Sequence, residues 1–282
     1  MKKALIILIT VLLAVSMFTG CKSEPKVYTV TFDVNGGTGT IAEQAVKENE
    51  KATKPTTVPT HTGWGFGGWS TTKDGTTAFD FDNTTITADI TLYAMWQKTY
   101  AVGDTGPAGG YIFYDVDADN SETKNDGLTS AELGWRYLEA APADLEGTYI
   151  FGYYRTSDSG TNEKVGTNEE IGKGKANTKA LVEAMGDKAY TGSEGTEKGT
   201  YAAKACDDYT YGGYDDWFLP SQNELGWLIY NLSSQEKGGT WQNDFYWSST
   251  EHTNIEAYRA KTGNSNTCGR NGTGYVRAVR VF

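Results

Sequence analysis

Gly212-Gly213-Tyr214-Asp215-Asp216-Trp217-Phe218-Leu219-Pro220-Ser221-Gln222-Asn223-Glu224-Leu225 is the stretch on which the reading of this chain turns. Two glycines mark a turn, an aromatic and apolar run follows, and Pro220 ends it one residue before Ser221. Ser221 stands three residues ahead of Glu224, the spacing at which a hydroxyl and a carboxylate each accept one of the free peptide N–H groups at a helix start. Leu225, Trp227, Leu228 and Leu232 then recur at helical spacing, so a helix begins here and buries that face.

Outward from this helix the pattern alternates between short strands and short helices. Tyr246–Thr250 and Tyr275–Phe282 read as strands downstream, and Tyr111–Tyr114 and Trp135–Ala140 as strands upstream. Thr178–Met185, stopped by Gly186, and Tyr201–Tyr209 have helical spacing. Residues 100–282 therefore read as one α+β domain with long glycine-rich connections, opened by the turn cluster Gly103–Gly110. Trp217, Trp227 and Trp247 are expected in its core. Tyr149, Phe151 and Tyr153 alternate as in a strand with one buried face, while they and Tyr209, Tyr211 and Tyr214 equally suit a binding surface.

Residues 28–98 have a different vocabulary. Tyr28, Val30, Phe32 and Val34 alternate with polar residues, the period of a half-buried strand, and Asn35-Gly36-Gly37 follows as a turn that accepts positive φ. Gly63-Trp64-Gly65-Phe66-Gly67-Gly68-Trp69, Phe79-Asp80-Phe81 and Ile86–Trp96 supply the rest of a small β-rich module, with the aromatics as its core.

The first twenty residues form a targeting segment rather than fold. Lys2 and Lys3 precede the apolar run Ala4–Val15, which is too short to span a bilayer and suits a signal peptide at residues 1–20. The segment closes at Met17-Phe18-Thr19-Gly20-Cys21 and resembles the bacterial lipoprotein signal, which implies lipidation of Cys21; a plain secretory signal is the alternative. Residues 21–27 are then a tether, and acyl chains on Cys21 anchor the protein to a membrane of the bacterial cell envelope, at the outer membrane or cell surface.

Charge narrows the partners. The chain carries 25 Lys and Arg against 36 Asp and Glu, a net of -11, and removal of residues 1–20 takes two lysines and no acids, leaving -13. A surface of this sign excludes nucleic acid, and makes anionic lipid head groups and sulfated polysaccharides poor partners. With Cys21 assigned to lipid, Cys206 and Cys268 remain. An even remainder in an exported chain predicts a disulfide stabilising the fold by roughly 3 to 5 kcal/mol, against two buried free thiols.

Asp115, Asp117 and Asp119 lie at alternate positions, and Asp126 falls eleven residues after Asp115. Oxygen ligands so spaced can converge on calcium, the one cofactor the sequence suggests, and a solvated acidic loop is the alternative. Catalysis finds less. The two histidines, His61 and His252, lie one in each half, and neither a nucleophile elbow nor a dinucleotide-binding loop is present, so the chain does not read as an enzyme.

Two resemblances extend this reading. Val30–Gly37, Gly63 with Phe66-Gly67-Gly68-Trp69, and Asp89–Trp96 resemble the Listeria/Bacteroides, internalin B-type repeat, which implies a small β-grasp-like module used as a spacer or adhesive unit on bacterial surface proteins. Gly109–Tyr114, Leu138–Pro142, Gly212–Ser221 with Glu224-Leu225, Tyr246–Glu251 and Val276–Arg280 resemble the bacterial domain family that includes the C-terminal domain of the Legionella collagen-like adhesin. That resemblance covers nearly all of residues 100–282 and implies a C-type lectin-like α+β domain, a fold shared with sulfatase-modifying enzymes. It implies a non-catalytic adhesin that binds an extracellular glycan or protein ligand. The sulfated glycans of the adhesin member do not suit a chain of this charge. The alternatives are an enzyme or enzyme accessory of the sulfatase-modifying type, which needs a reactive thiol or metal, and a structural surface component.

Overall fold

A computed structural model describes residues 24–118 and 129–282. The chain divides into two compact units, Met1–Thr99 and Tyr100–Phe282. Strand predominates over helix in the chain as a whole, and the helices among the described residues lie in the second unit.

In the first unit, β1 (Val27–Asp33), β2 (Gln44–Lys47), β3 (Trp64–Ser70) and β4 (Ile90–Lys98) form one mixed sheet in the order β2-β1-β4-β3. β1 and β4 pair in parallel at its centre, and β2 and β3 flank them antiparallel. The alternation in β1 predicts its buried face: Val30 and Phe32 are in the core with Val46, Trp69, Ile86, Leu92 and Ala94. Asn35 and Gly36 form the expected turn, at φ 48° and 88°. The two tryptophans of the glycine-rich segment part company. Trp69 is buried edge-on against Phe32 at 4.9 Å, whereas Trp64, expected in the core, is 41% exposed. A bulge between Phe66 and Gly68 puts Trp64, Phe66 and Trp69 on one face of β3, but Trp64 pairs with Lys98 at the exposed end of β4 while Trp69 pairs with the buried Ala94.

In the second unit, β5 (Tyr111–Asp115), β6 (Tyr137–Ala140) and β14 (Val279–Val281) form a sheet of order β14-β6-β5, and β10 (Tyr246–Glu251), β11 (Glu256–Lys261) and β12 (Asn264–Gly269) form another in chain order. Two-stranded ribbons join β7 (Tyr149–Ile150) to β13 (Thr273–Gly274) and β8 (Ala189–Tyr190) to β9 (Lys198–Gly199). The helices are α1 (Ser130–Leu133), α2 (Gly174–Met185), α3 (Ala202–Asp207) and α4 (Gln222–Asn231).

The helix predicted from Ser221 and Glu224 is α4. Both halves of its capping box are formed, and Leu225, Leu228 and Ile229 are buried with Leu232 beneath them. Trp227 departs from expectation: it lies partly buried at the side of this stripe, 5.8 Å from Tyr114 and 5.9 Å from Tyr230 between ring centres. Trp217 and Trp247 are in the core as expected. The single strand expected over Tyr275–Phe282 is interrupted, because the backbone of Tyr275, Val276 and Ala278 accepts from Trp247, Leu145 and Ala141 instead of forming a ladder with a single strand. The hairpin β11–β12 had no sequence expectation at all. It turns at Thr262-Gly263, with Gly263 at φ 74°.

Candidate functional site

Three fully buried carboxylates hold the second unit together, and all three come from the stretches that carry the second family resemblance. Glu139 on β6 accepts from the peptide N–H groups of Ala108 (3.1 Å) and Gly110 (2.8 Å) and from Arg280 (3.2 Å). Gly110 has to be glycine, since a Cβ there would stand 2.1 Å from the Ala140 carbonyl oxygen. Glu251 on β10 accepts from Val165 (2.9 Å), Gly166 (2.8 Å) and Thr167 (3.3 Å) N–H and from the Arg270 guanidinium at 2.7 Å. Glu224 accepts from Ser221 N–H and Gly172 N–H, both at 2.7 Å. Each carboxylate thus pins a loop to the core by its backbone, which is why these residues stand where long connections have no ladder of their own. Their burial makes them framework rather than surface.

Burial pushes the Glu224 carboxyl up to about 7, against the N–H groups that favour its charged form. The folded chain therefore binds this proton more tightly than the unfolded chain does. The stability so gained is complete below the unfolded value near 4.5 and is lost as pH rises to 7, about 3 kcal/mol in all. Urea unfolding at pH 5 and pH 8 checks this: the wild-type chain should lose about that much more stability between the two than Glu224→Gln does. Equal losses in both would overturn it.

Between α4 and the hairpin β11–β12 lies a groove of about 530 Å³, a size typical of ligand sites. Gln222, Asn223, Gly226, Trp227 and Tyr230 line it from α4, and Tyr258, Ala260 and Ser265 from the hairpin. The core stripe of α4 positions its wall by turning the residues at 222, 223, 226 and 230 away from the interior. Tyr230 is 60% exposed, and Gln222 Oε1 is buried with no hydrogen-bond partner. Gly226 sits in mid-helix, where glycine costs about 0.5–1 kcal/mol relative to alanine, and no atom lies within 4 Å of where its Cβ would be. Two further depressions adjoin it. A depression of about 280 Å³ shares Gly226, Tyr230, Ala260 and Ser265 with it, and another of about 390 Å³ shares Tyr258, whose hydroxyl lies 2.8 Å from His252 Nδ1.

The residues singled out in the sequence do not gather at this groove. Both Asp115 oxygens accept from Arg136, at 2.9 and 3.0 Å, and Asp117 accepts from Ser130 N–H and Oγ at 3.1 and 2.8 Å. Asp119, Asp126 and Cys21 lie outside the described residues. Cys206 and Cys268 are free thiols, so the predicted disulfide is not formed. Cys206 faces the core from α3, where burial pushes its thiol well above the usual range, and Cys268 packs against the same core cluster from β12. His252 pairs with Tyr258 rather than with a thiol. Phe151 and Tyr153 are core, Tyr149 and Tyr154 half-buried, and Tyr211 exposed and stacked on Tyr209. Among the described residues no three His, Cys, Asp or Glu side chains are grouped to hold a metal, and no helix is long and apolar enough to cross a membrane.

Sequence reasoning missed Asn223, Gly226, Tyr230, Tyr258 and Ser265 as site residues. The one available signal was Gly226, a glycine inside an otherwise strong helix.

Residues 28–95 match the Listeria-Bacteroides repeat domain, so the first unit carries that repeat. Internalin H of Listeria monocytogenes is 39% identical over 82 residues, 28% of this chain and 14% of its own length. Two proteins of Evansella cellulosilytica, provisionally named a membrane protein and a Gly-rich membrane protein, are 32% identical over 135 residues and 29% over 141 residues. Those matches take in 48% and 50% of this chain and 18% and 14% of the relatives. The chain thus spans less than a fifth of the length of each relative. The crystal structure of a fimbrial protein from Bacteroides ovatus is 14% identical, covers 73% of this chain and 52% of its own, and superposes with a TM-score of 0.40, which does not define a shared fold.

Proposed function

We propose that the protein is a non-catalytic adhesion or ligand-binding protein of the bacterial cell surface, anchored through lipid on Cys21, in which a β-grasp-like repeat acts as spacer and a C-type lectin-like second unit binds an extracellular glycan or protein. The observation that carries this is the groove between α4 and the hairpin β11–β12: concave, lined by aromatic, aliphatic and uncharged polar side chains with Arg259 as the one charged residue, and set on a framework whose buried carboxyl groups hold loops. The repeat and its similarity to internalin H favour a surface role over an intracellular one. Of the two thiols that the sulfatase-modifying alternative could use, Cys206 is fully buried, which leaves the partly buried Cys268 as its candidate.

Beads coated with the full chain should adhere to host cells or extracellular matrix, and Tyr230→Ala with Tyr258→Ala should lower adhesion at least tenfold while unfolding at the wild-type temperature. Adhesion indifferent to both substitutions would remove the groove from this role. Lipidation is tested by metabolic labelling with a fatty acid, which should mark the wild-type chain and not Cys21→Ala.

Calcium at Asp115, Asp117, Asp119 and Asp126 belongs to the same proposal, and the ion has to displace Arg136 from Asp115 to bind there. Thermal unfolding with millimolar calcium should then exceed that with a chelator, and Asp117→Ala should abolish the difference. The same midpoint under both conditions would leave Arg136 as the counter-charge of this acidic segment.

A further inference from the structure

Resting on the reading of the groove as a binding site, we propose that its ligand is a neutral oligosaccharide, and that Gly226 sets how deep a sugar ring can enter. The chain is strongly acidic overall, yet the described residues lining the groove include no Asp or Glu, and Arg259 is the one charged residue among them. Arg259 belongs to the other face of β11. It pairs across the sheet with Trp247 and Asn266, its Nε donates to Asn266 Oδ1 at 3.0 Å, and its guanidinium lies over the Phe245 ring at 4.3 Å. A charged ligand would therefore find no counter-charge in the groove, and desolvating it there would be costly.

What the groove offers instead suits a sugar. The largely exposed Tyr230 presents an aromatic ring to the C–H face of a pyranose, and Trp227 stands at 81° to it as a second wall. Gln222, Asn223, Ser265 and the Tyr258 hydroxyl surround them with groups that both donate and accept, as vicinal hydroxyls require. A peptide helix docked here would want a row of apolar anchor pockets, whereas the hairpin wall presents Tyr258, Ala260 and Ser265. The depression that shares Gly226, Tyr230, Ala260 and Ser265 with the groove extends it beyond one ring and brings a single charged residue, Lys261. Gly226 lies between the rings of one wall and the Ala260 and Ser265 of the other, with open space where a side chain would stand. A helix that accepts glycine at an exposed interior position without a turn or close backbone approach keeps that volume free.

The test is binding of the full chain to a panel of tetrasaccharides built from neutral hexoses and N-acetylhexosamines, beside matched chains bearing uronate or sulfate, read by tryptophan fluorescence and on an array. At least one neutral chain should bind, Tyr230→Ala should weaken it at least tenfold, and Gly226→Leu should abolish it, while Gly226→Ala, with one methyl, weakens it only a few-fold. All three variants should unfold at or above the wild-type temperature, which separates loss of binding from loss of fold. Binding confined to uronate or sulfate chains and indifferent to Tyr230→Ala would overturn the proposal. If no saccharide binds but host-cell adhesion still depends on Tyr230 and Tyr258, the neutral-glycan class is overturned and the adhesive groove stands. If adhesion is also indifferent to them, both fall.

Discussion

Glu251→Ala is expected to destabilise the second unit by about 3–5 kcal/mol, because it strands the wholly buried Arg270 without its counter-charge. Arg270 already has a buried Nε without a partner, and its remaining bonds are to the Thr253 and Glu163 carbonyl oxygens. The same substitution removes the acceptor of the peptide N–H groups of Val165, Gly166 and Thr167. Domains of this size are stable by roughly 5–15 kcal/mol, so a loss on this scale removes a large share of the total. Urea unfolding measures it directly. Replacing Glu251 and Arg270 together by apolar residues should cost much less than Glu251→Ala, since no lone charge is then left inside. A single-variant loss under 1 kcal/mol would mean that the pair does not hold the loop.

Trp69→Ala should cost the first unit a similar amount, about 3–5 kcal/mol, by leaving a cavity where the indole meets Phe32 at 4.9 Å and Phe66 at 5.4 Å. The unit's core is a single cluster built around one four-stranded sheet, so it has little to spare. Hydrogen exchange gives the sharper reading. Amides of β1 and β4 should lose protection in the variant while those of β6 and β10 keep theirs. Trp64→Ala, at the exposed tryptophan, should change little, and equal effects at both positions would contradict the assignment of Trp69 to the core.

These expectations divide along the same line as the legibility of the sequence. Capping boxes, period-two alternation and glycine stops are local, and they located β1, α4 and the ends of α2 to within a few residues. The framework was legible as a set of motifs, though not as a mechanism: Glu139, Glu224 and Glu251 could be quoted in their motifs, but the loops they capture lie tens of residues away in the chain. The groove was not legible, and the reason is physical. β11 and β12 read Glu256-Ala257-Tyr258-Arg259-Ala260-Lys261 and Asn264-Ser265-Asn266-Thr267-Cys268-Gly269, with polar residues on both faces and so no apolar period to mark them. A hairpin with polar residues on both faces lacks the very pattern by which strands are recognised. The cysteine count misled for a related reason, since parity says nothing about where two sulfur atoms sit.

The carboxylate framework has a consequence for how such a protein could be altered. Glu139, Glu224 and Glu251 grip their loops mostly by peptide N–H groups, which every residue except proline supplies. The identity of most loop side chains is therefore not part of the grip, and neither are Asn223, Gly226, Tyr230, Tyr258 or Ser265. Those five positions can be randomised together while the buried set is left alone, so the second unit is suited to serve as a display scaffold whose groove is rewritten without redesigning its interior.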